Sequence, residues 1–393
     1  MNKNLLKTDV QEFIYQNLTS DISSLILKGS PFEDVSVQEL ANQISCKRKA
    51  KEKLPNWFHS ENILYPKKVS IEQTSSEITA QHKSQIVKGN SIIDITGGFG
   101  IDAYYFSKHF KKVVHCELDE NLSEIVNHNY KILKTENITT IKGNGINYLE
   151  NNPEKFDVIY IDPSRRNETK GKVFLLSDCL PNVPENIDFL FSKTNTILIK
   201  NSPILDISAT INELKFVKEI QIIAVKNEVK ELLFLLEKDY SESIQIKTYN
   251  FHKDKTHFFE FSKGTEAISS YDLPQSFLYE PNVAILKSGG FHNVSSFFNL
   301  KKIHQHSHLY TSNKLIKFPG RSFKIIDVLP YDKKKLNKIL SEKKANITVR
   351  NFPKSVAQIR KETKIKDGGD FYLFFTKFSN NKNGIIICKK ASL

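Results

Sequence analysis

The chain has 393 residues, 39% hydrophobic and 26% charged, which suits roughly two to four soluble domains and excludes a fibrous or wholly disordered protein. No apolar run reaches the roughly 20 residues that span a bilayer, and Met1-Asn2-Lys3-Asn4-Leu5 opens no signal-peptide core, so a cytoplasmic protein is expected. Cys46, Cys116, Cys179 and Cys388 share no close spacing, which argues against a disulfide framework or a zinc knuckle.

Residues 1–88 read as an N-terminal helical domain. From Leu5 to Leu64 apolar residues recur at helical spacing (Val10, Phe13, Ile14, Leu18), punctuated by Pro31, Pro55 and Pro66. Thr74-Ser75-Ser76-Glu77 has capping-box spacing and predicts the start of a helix leading to Lys88. Such a segment either covers apolar surface of the next domain or grips a substrate, and the sequence leaves both open.

Residues 89–240 alternate strands and helices. Ser91 to Ile95 reads as a buried strand, Thr96-Gly97-Gly98-Phe99-Gly100 as a glycine-rich turn opening a helix, and Val113 to Glu117 as a second strand, with Glu117 standing 17 positions after Gly100. In doubly wound sheets a carboxylate there accepts hydrogen bonds from the ribose hydroxyls of a nucleoside. A pyrophosphate-binding turn wants G-x-G-x-x-G, with helix amides converging on phosphate oxygens. Here Asp94 stands at the entrance, would repel a diphosphate, and suits instead the ammonium and sulfonium charges of S-adenosyl-L-methionine. Phe156 to Ile161 is an apolar run of the buried parallel type that ends in Asp162-Pro163-Ser164-Arg165-Arg166, and Thr196 to Ile199 ends likewise in Lys200-Asn201-Ser202-Pro203. Ligands sit beyond the carboxyl ends of such strands, so the turn from Gly97 to Gly100, Glu117 and Asp162 are expected to face one crevice. Two apolar runs, 217–225 and 232–236, joined by a polar turn around Asn227, predict a hairpin at the sheet edge, an ordering found in class I methyltransferases.

Residues 241–318 turn β-rich and aromatic, as in Phe258-Phe259-Glu260-Phe261 and Val283-Ala284-Ile285-Leu286, and predict a small α+β domain. In residues 319–393 the pattern predicts helices over 333–343 and 355–361 and strands over 347–350, 371–375 and 385–388, with Gly368-Gly369 as a tight turn. The net charge of +13 belongs to this end of the chain: residues 301–393 hold 22 Lys+Arg against 6 Asp+Glu, and residues 1–300 hold 35 against 38. A lysine-rich genome would not concentrate basicity in one quarter of the chain, so RNA contact through residues 301–393 is expected.

Asp94 to Gly100, Asp162 to Arg166 and Lys200 to Pro203 resemble a bacterial family of class I S-adenosyl-L-methionine-dependent methyltransferases with a THUMP-like C-terminal domain. So do Glu72-Gln73-Thr74-Ser75-Ser76-Glu77 upstream, and Tyr279-Glu280-Pro281-Asn282, Ala345-Asn346-Ile347 and Arg350-Asn351-Phe352-Pro353 downstream. The similarity runs over nearly the whole chain. It implies an α/β protein: a Rossmann-like core (89–240) between an N-terminal helical domain (1–88) and two α+β domains, ferredoxin-like (241–318) and basic THUMP-like (319–393). The cofactor it implies is S-adenosyl-L-methionine, bound by Asp94, Thr96, Gly97, Gly98, Gly100, Glu117, Asn144 and Asp162. Asn144 occupies the place where such enzymes usually have an aspartate facing the adenine amino group, and an amide oxygen can accept the same bond. THUMP domains proper are RNA-binding modules.

Methyl transfer from a sulfonium is an in-line displacement, so positioning carries most of the catalysis. Asp162 is the candidate for holding a target amino group, with Pro163 stiffening its turn, unless Asp162 merely caps the next segment. Arg165 and Arg166 either clamp a phosphate or pair with Asp157 or Glu168, and Lys200 carries the same ambiguity. Ser164 and Arg165 stand where amine-methylating families have a proline and an aromatic, which leaves the target atom open. A carbon-directed reaction would need a rim cysteine, and Cys116 and Cys179 read better as small buried hydrophobes. His304, His306 and His308 would share a face if extended, as a metal site or as a surface strand. The rivals are a non-catalytic RNA-binding protein that keeps the fold, and a protein or small-molecule methyltransferase, which would leave the basic end unexplained. Nothing in the sequence sets the oligomeric state.

Overall fold

The computed structural model describes residues 1–165, 175–253, 255–265, 267–340 and 342–392. Two compact units make up the chain, Met1–Lys218 with Leu233–Ser241, and Glu219–Leu232 with Glu242–Leu393.

The first unit opens with helices α1 (Thr8–Gln16), α2 (Ile22–Lys28), α3 (Val37–Lys53), α4 (Pro55–His59), α5 (Lys68–Gln73) and α6 (Glu77–Ile86). Ser36 and Glu39 start α3 with a reciprocal capping box, which satisfies two of the amides that a helix leaves unpaired at its N-terminus. Val10, Ile14, Leu25, Leu40, Ile44 and Leu64 bury one another across these helices. Asn129 ties the layer to the core, its side chain donating to the Leu64 carbonyl at 2.8 Å and accepting the Leu64 N–H at 2.9 Å. At α6 the structure differs from the capping-box expectation. Ser76 is the N-cap, and Thr74 closes α5, because the Glu77 carboxylate accepts the Asn56 amide at 2.6 Å instead of reaching back.

Next come β1 (Ser91–Asp94), α7 (Ile101–Phe106), β2 (Lys112–Glu117), α8 (Glu120–Ile132), β3 (Ile138–Lys142), α9 (Gly145–Asn151), β4 (Val158–Ile161), α10 (Val183–Lys193), β5 (Thr196–Asn201) and α11 (Ile207–Glu213). The strand order is β5-β4-β1-β2-β3, all parallel. Ile92, Ile93 and all four residues of β4 are buried, because helices cover both sides of a parallel sheet. Each such aliphatic side chain contributes about 1.5–3 kcal/mol by leaving water. Parallel pairing also aligns the carboxyl ends, so Asp94, Glu117 and Asp162 emerge at one edge of the sheet.

β6 (Val217–Val225) and β7 (Glu228–Glu237), whose residues divide between the two units, are joined by Lys226 and Asn227, both at positive φ (51° and 62°) as a type I′ turn requires. The hairpin is not at an edge. β8 (Gln245–Phe251) pairs in parallel with β6, and β9 (Thr256–Ser262) pairs antiparallel with β8. The remaining elements are β10 (Phe277–Pro281), α12 (Val283–Ser288), α13 (Phe291–Phe297), β11 (Lys301–Lys302), β12 (Tyr310–Ser312), β13 (Gly320–Pro330), α14 (Lys333–Ile339), β14 (Asn346–Arg350), α15 (Val356–Thr363), β15 (Phe371–Lys377) and β16 (Asn383–Lys390). They form a sheet of order β11-β12-β10-β13-β16-β15-β14, in which only β14 and β15 are parallel neighbours. Leu373, Phe375, Ile385 and Ile387 pack on one face with Leu336 and Ile359, while Phe323, Phe374, Ile386 and Cys388 pack on the other with Ile303 and Leu309. β13 is a strand that the sequence pattern does not predict. Half its positions face solvent, and a bulge between Ile325 and Asp327 breaks the alternation.

Candidate active site

The ends of β1, β2 and β4, the α5–α6 junction and the start of α9 enclose a cavity of about 430 Å³. That volume lies within the roughly 300–1,000 Å³ range of small-molecule sites.

The turn after β1 is shaped by two close approaches. Gly97 donates its N–H to the Cys116 carbonyl at 2.8 Å, and a Cβ there would come within 2.2 Å of His115 Nε2, so only glycine fits. Gly98 has φ +54°, which a side chain would strain. Its N–H donates to Glu117 Oε2 at 2.7 Å, and Asp119 N–H donates to Glu117 Oε1 at 2.8 Å, so both carboxylate oxygens are oriented by backbone. His115, wholly buried beneath the turn, is held neutral by that burial, its pKa pushed down to about 4.

Asp94 is 1% exposed, and its Oδ1 accepts the Thr96 N–H at 3.0 Å. Burial raises its pKa well above the usual carboxylate value, and the nearby Asp102 and Asp162 charges add to the effect. A cation placed in the cavity would favour its ionised form. Thr96 Oγ1 accepts the Asp162 N–H at 2.6 Å, which fastens the loop after β4 to the turn after β1. Lys200, at the end of β5, forms an ion pair with the Asp162 side chain.

Asp102, at the floor, is reached by three side chains. Lys83 Nζ lies 3.2 Å from Oδ1, and the Ser75 and Tyr160 hydroxyls donate to Oδ2 at 2.9 and 2.8 Å. Burial works to raise its pKa, but the ammonium groups of Lys83 and Lys200 outweigh it and Asp102 stays low. This network was not read from the sequence. Its one visible trace is the Glu72–Glu77 segment, whose Gln73, Thr74 and Ser75 line the cavity with Ser70.

Of the residues expected at the site, Asp94, Thr96, Gly97, Gly98, Glu117, Asn144 and Asp162 line the cavity. Gly100 and Pro163 are not among its lining residues. Gly100 instead receives the Tyr130 hydroxyl on its carbonyl at 2.8 Å. Asn144 uses its Oδ1 to cap α9, accepting the Ile146 N–H at 2.8 Å. Arg165 belongs to a short antiparallel ribbon, Ser164–Arg165 with Cys179–Leu180; its side chain, Arg166 and Glu168 lie outside the described residues. Asp157 accepts the Asn90 and Ser91 amides at 2.7 and 2.9 Å, at the entry to β1. Cys116 lines the cavity, but burial pushes its thiol up to about 12, so it is not a ready nucleophile. His304, His306 and His308 are not extended: residues 305–307 form a turn, and His308 has φ 51° with its ring stacked 3.5 Å from Phe291. Among the described residues no group of three or more His, Cys, Asp or Glu is placed to hold a metal ion, and no helix is long and apolar enough to cross a membrane.

Comparison with known proteins gives matches to three stretches of the chain. Residues 49–222 match the family model "Conserved hypothetical protein 95", residues 277–319 a ferredoxin-like domain, and residues 320–390 a THUMP domain-like model. The crystal structure of a "putative methyltransferase from Porphyromonas gingivalis W83" superposes with a TM-score of 0.89 at 29% identity, covering 99% of each chain. Over nearly its whole length the chain is similar to that methyltransferase-like structure, and its C-terminal end is similar to ferredoxin-like and THUMP-like domains. This methyltransferase-like protein thus joins a class I core to ferredoxin-like and THUMP-like C-terminal domains. Smaller structures align with part of it: an rRNA methylase from Streptococcus thermophilus (17% identity, 42% of this chain and 98% of that one, TM-score 0.31), and a "putative methyltransferase" from Streptococcus mutans in complex with SAH (16%, 41% and 96%, 0.30). No curated protein matches the methyltransferase-like chain.

Proposed function

We propose that the protein is a cytoplasmic methyltransferase that binds S-adenosyl-L-methionine in the 430 Å³ cavity and methylates structured RNA such as tRNA or rRNA. The observation that carries this reading is Asp94, a buried carboxylate with a raised pKa, set between the glycine turn and Glu117. When bound, the cofactor supplies an activated methyl group on a cationic sulfur. Asp94 binds its ammonium group, Glu117 accepts from its ribose hydroxyls, and Leu118, Leu122 and Ile146 offer apolar surface to its adenine ring. The amide oxygen of Asn144, already engaged at the N-terminus of α9, has a second lone pair for the adenine amino group. Gly97 and Gly98 let the backbone approach the ligand. Asp162, fixed in direction by Lys200, accepts a hydrogen bond from the target amino group and turns its lone pair toward the methyl carbon. With the cofactor bound, the target amine held by Asp162 would take the methyl group as the C–S electron pair stays on sulfur, and the amine would pass its proton to solvent.

The fourfold division at residues 88, 240 and 318 is part of the same proposal, with the last domain recruiting the RNA through the basic excess of residues 301–393. The test compares modified-nucleoside profiles of total RNA from cells with and without the gene, followed by in vitro methylation of the RNA from deleted cells. One nucleoside lost in vivo and restored by the wild type but not by Asp162→Ala supports the reading. Unchanged profiles and no transfer to that RNA reject it.

A further inference from the structure

Three separate segments of the second unit converge on one side chain. Glu280 in β10 is 4% exposed, and its Oε2 accepts Arg321 Nε at 2.7 Å while its Oε1 accepts a terminal nitrogen of Arg350 at 2.9 Å. Arg321 lies directly opposite Glu280 in the β10–β13 pair, and Arg350 closes β14. One buried carboxylate thus orients two guanidinium groups whose side chains remain 42% and 37% exposed, leaving a net positive charge at a fixed place. Arg321 also lies over the Phe323 and Tyr372 rings, at 5.4 and 6.0 Å, and keeps a terminal nitrogen beyond those that meet Glu280.

The neighbourhood adds one further cation, Lys302, beside the His304–His308 turn. Asn351 reaches His304 Nδ1 at 3.0 Å. Burial first, then the charges of Lys302, His306, Arg350 and His292, hold His308 down to about 4. Lys302 is 1% exposed and donates to the Gln305 carbonyl at 3.0 Å, and His308 Nδ1 is buried without a hydrogen-bond partner. A cluster in which like charges raise each other's energy is relieved by an anion, and planar guanidinium forks match phosphate oxygens.

We propose that Arg321 and Arg350, oriented by Glu280 beside the His304–His308 turn, form a preorganised site for an RNA backbone phosphodiester. This rests on the RNA reading above and assigns a place to it. The site is distinct from the methyl-transfer cavity, since all of these residues belong to the second unit.

The test titrates the full-length protein with a fluorescein-labelled RNA stem-loop, read by anisotropy across a series of KCl concentrations. For Arg321→Gln the slope of log affinity against log salt is expected to fall by about 0.7–0.9, one phosphate contact, with about a fivefold to tenfold loss of affinity at 100 mM KCl. Arg350→Lys keeps the charge and should keep the slope while losing affinity through the missing fork. If Arg321→Gln does not fold, the wild type still decides: RNA should shield the peptides carrying Arg321 and Arg350 from phenylglyoxal, read by mass spectrometry, against the same peptides in protein without RNA. Unchanged slope and affinity in folded variants, or both arginines left reactive in the RNA complex, overturn the site and leave the RNA reading standing. Inorganic phosphate giving the same shielding at equal ionic strength would assign a small anion and overturn the RNA assignment. Wild-type protein that binds no RNA removes both together.

Discussion

Glu117 accepts the backbone N–H of Gly98 at 2.7 Å, so the carboxylate that ends β2 and the turn that follows β1 hold one another at the edge of the cavity. Removing that carboxylate loosens the turn and, on the proposed reading, takes away the ribose acceptor together. Hydrogen bonds to a charged group are worth about 1.5–3 kcal/mol, so Glu117→Ala is expected to weaken binding of S-adenosylhomocysteine by roughly 10- to 100-fold. Glu117→Gln, which keeps an oxygen for Gly98, should lose less. Equilibrium dialysis with labelled ligand checks both, and equal affinities for the three proteins would contradict the assignment.

The two adjacent glycines should fail in different ways. Gly97→Ala drives a methyl group into the His115 ring, 2.2 Å away, in a wholly buried place. Overpacking of that kind costs about 1–3 kcal/mol, visible as a lower urea midpoint. A Cβ added at Gly98 would meet nothing nearer than the Thr96 carbonyl at 3.9 Å, so Gly98→Asp should fold with a cost of about 1–2 kcal/mol for its left-handed backbone. It should nonetheless bind no S-adenosylhomocysteine, because its anion intrudes where the ligand's backbone contact would be.

Lys83 is fully buried against Asp102. Lys83→Met leaves that carboxylate without its nearest ammonium, a change that costs about 3–5 kcal/mol when a buried pair is broken. Urea denaturation followed by circular dichroism measures it. A midpoint within error of the wild type would mean that the pair contributes nothing.

Two buried groups give opposite pH trends. His115 titrates near 4 when folded against an ordinary 6.5, so the stability linked to its neutral form is present above 6.5 and is lost as pH falls toward 4, about 3 kcal/mol in all. Asp94 has a raised pKa, so its contribution is present at low pH and is lost as pH rises through the folded value. Asp94→Asn is therefore expected to flatten the alkaline side of the stability profile and leave the acid side unchanged. Chemical denaturation from pH 4 to 9 separates the two, and an unaltered alkaline limb in Asp94→Asn would contradict the Asp94 assignment.

Much of the first unit was legible because parallel strands buried on both faces leave apolar runs: Ile92-Ile93, Val158 to Ile161 and Ile197 to Ile199 each announce a strand, and the polar residue that follows announces the site. The Glu280–Arg321–Arg350 contact was not legible, since residues 41 and 70 positions from Glu280 meet only through strand order. The same holds for Lys83, Ser75, Asp102 and Tyr160, whose hydrogen bonds join α6, α7 and β4 across the interior. Local rules also mislead where a tertiary partner competes, as when Asn56 takes the Glu77 carboxylate and shifts the start of α6 to Ser76. The hairpin of β6 and β7 reads as an edge until β8, some 20 residues on, pairs with it.

The most direct measurement is isothermal titration of the folded full-length protein with S-adenosylhomocysteine, repeated in buffers of different ionisation enthalpy and on Asp94→Asn. One-site binding is expected in the wild type, with proton release on binding below the pKa of Asp94 and with affinity that rises with pH. Asp94→Asn should bind more weakly and release no such proton. Absence of binding heat from a protein shown to be folded, or wild-type and Asp94→Asn isotherms that coincide, would contradict the placement of the cofactor beside Asp94.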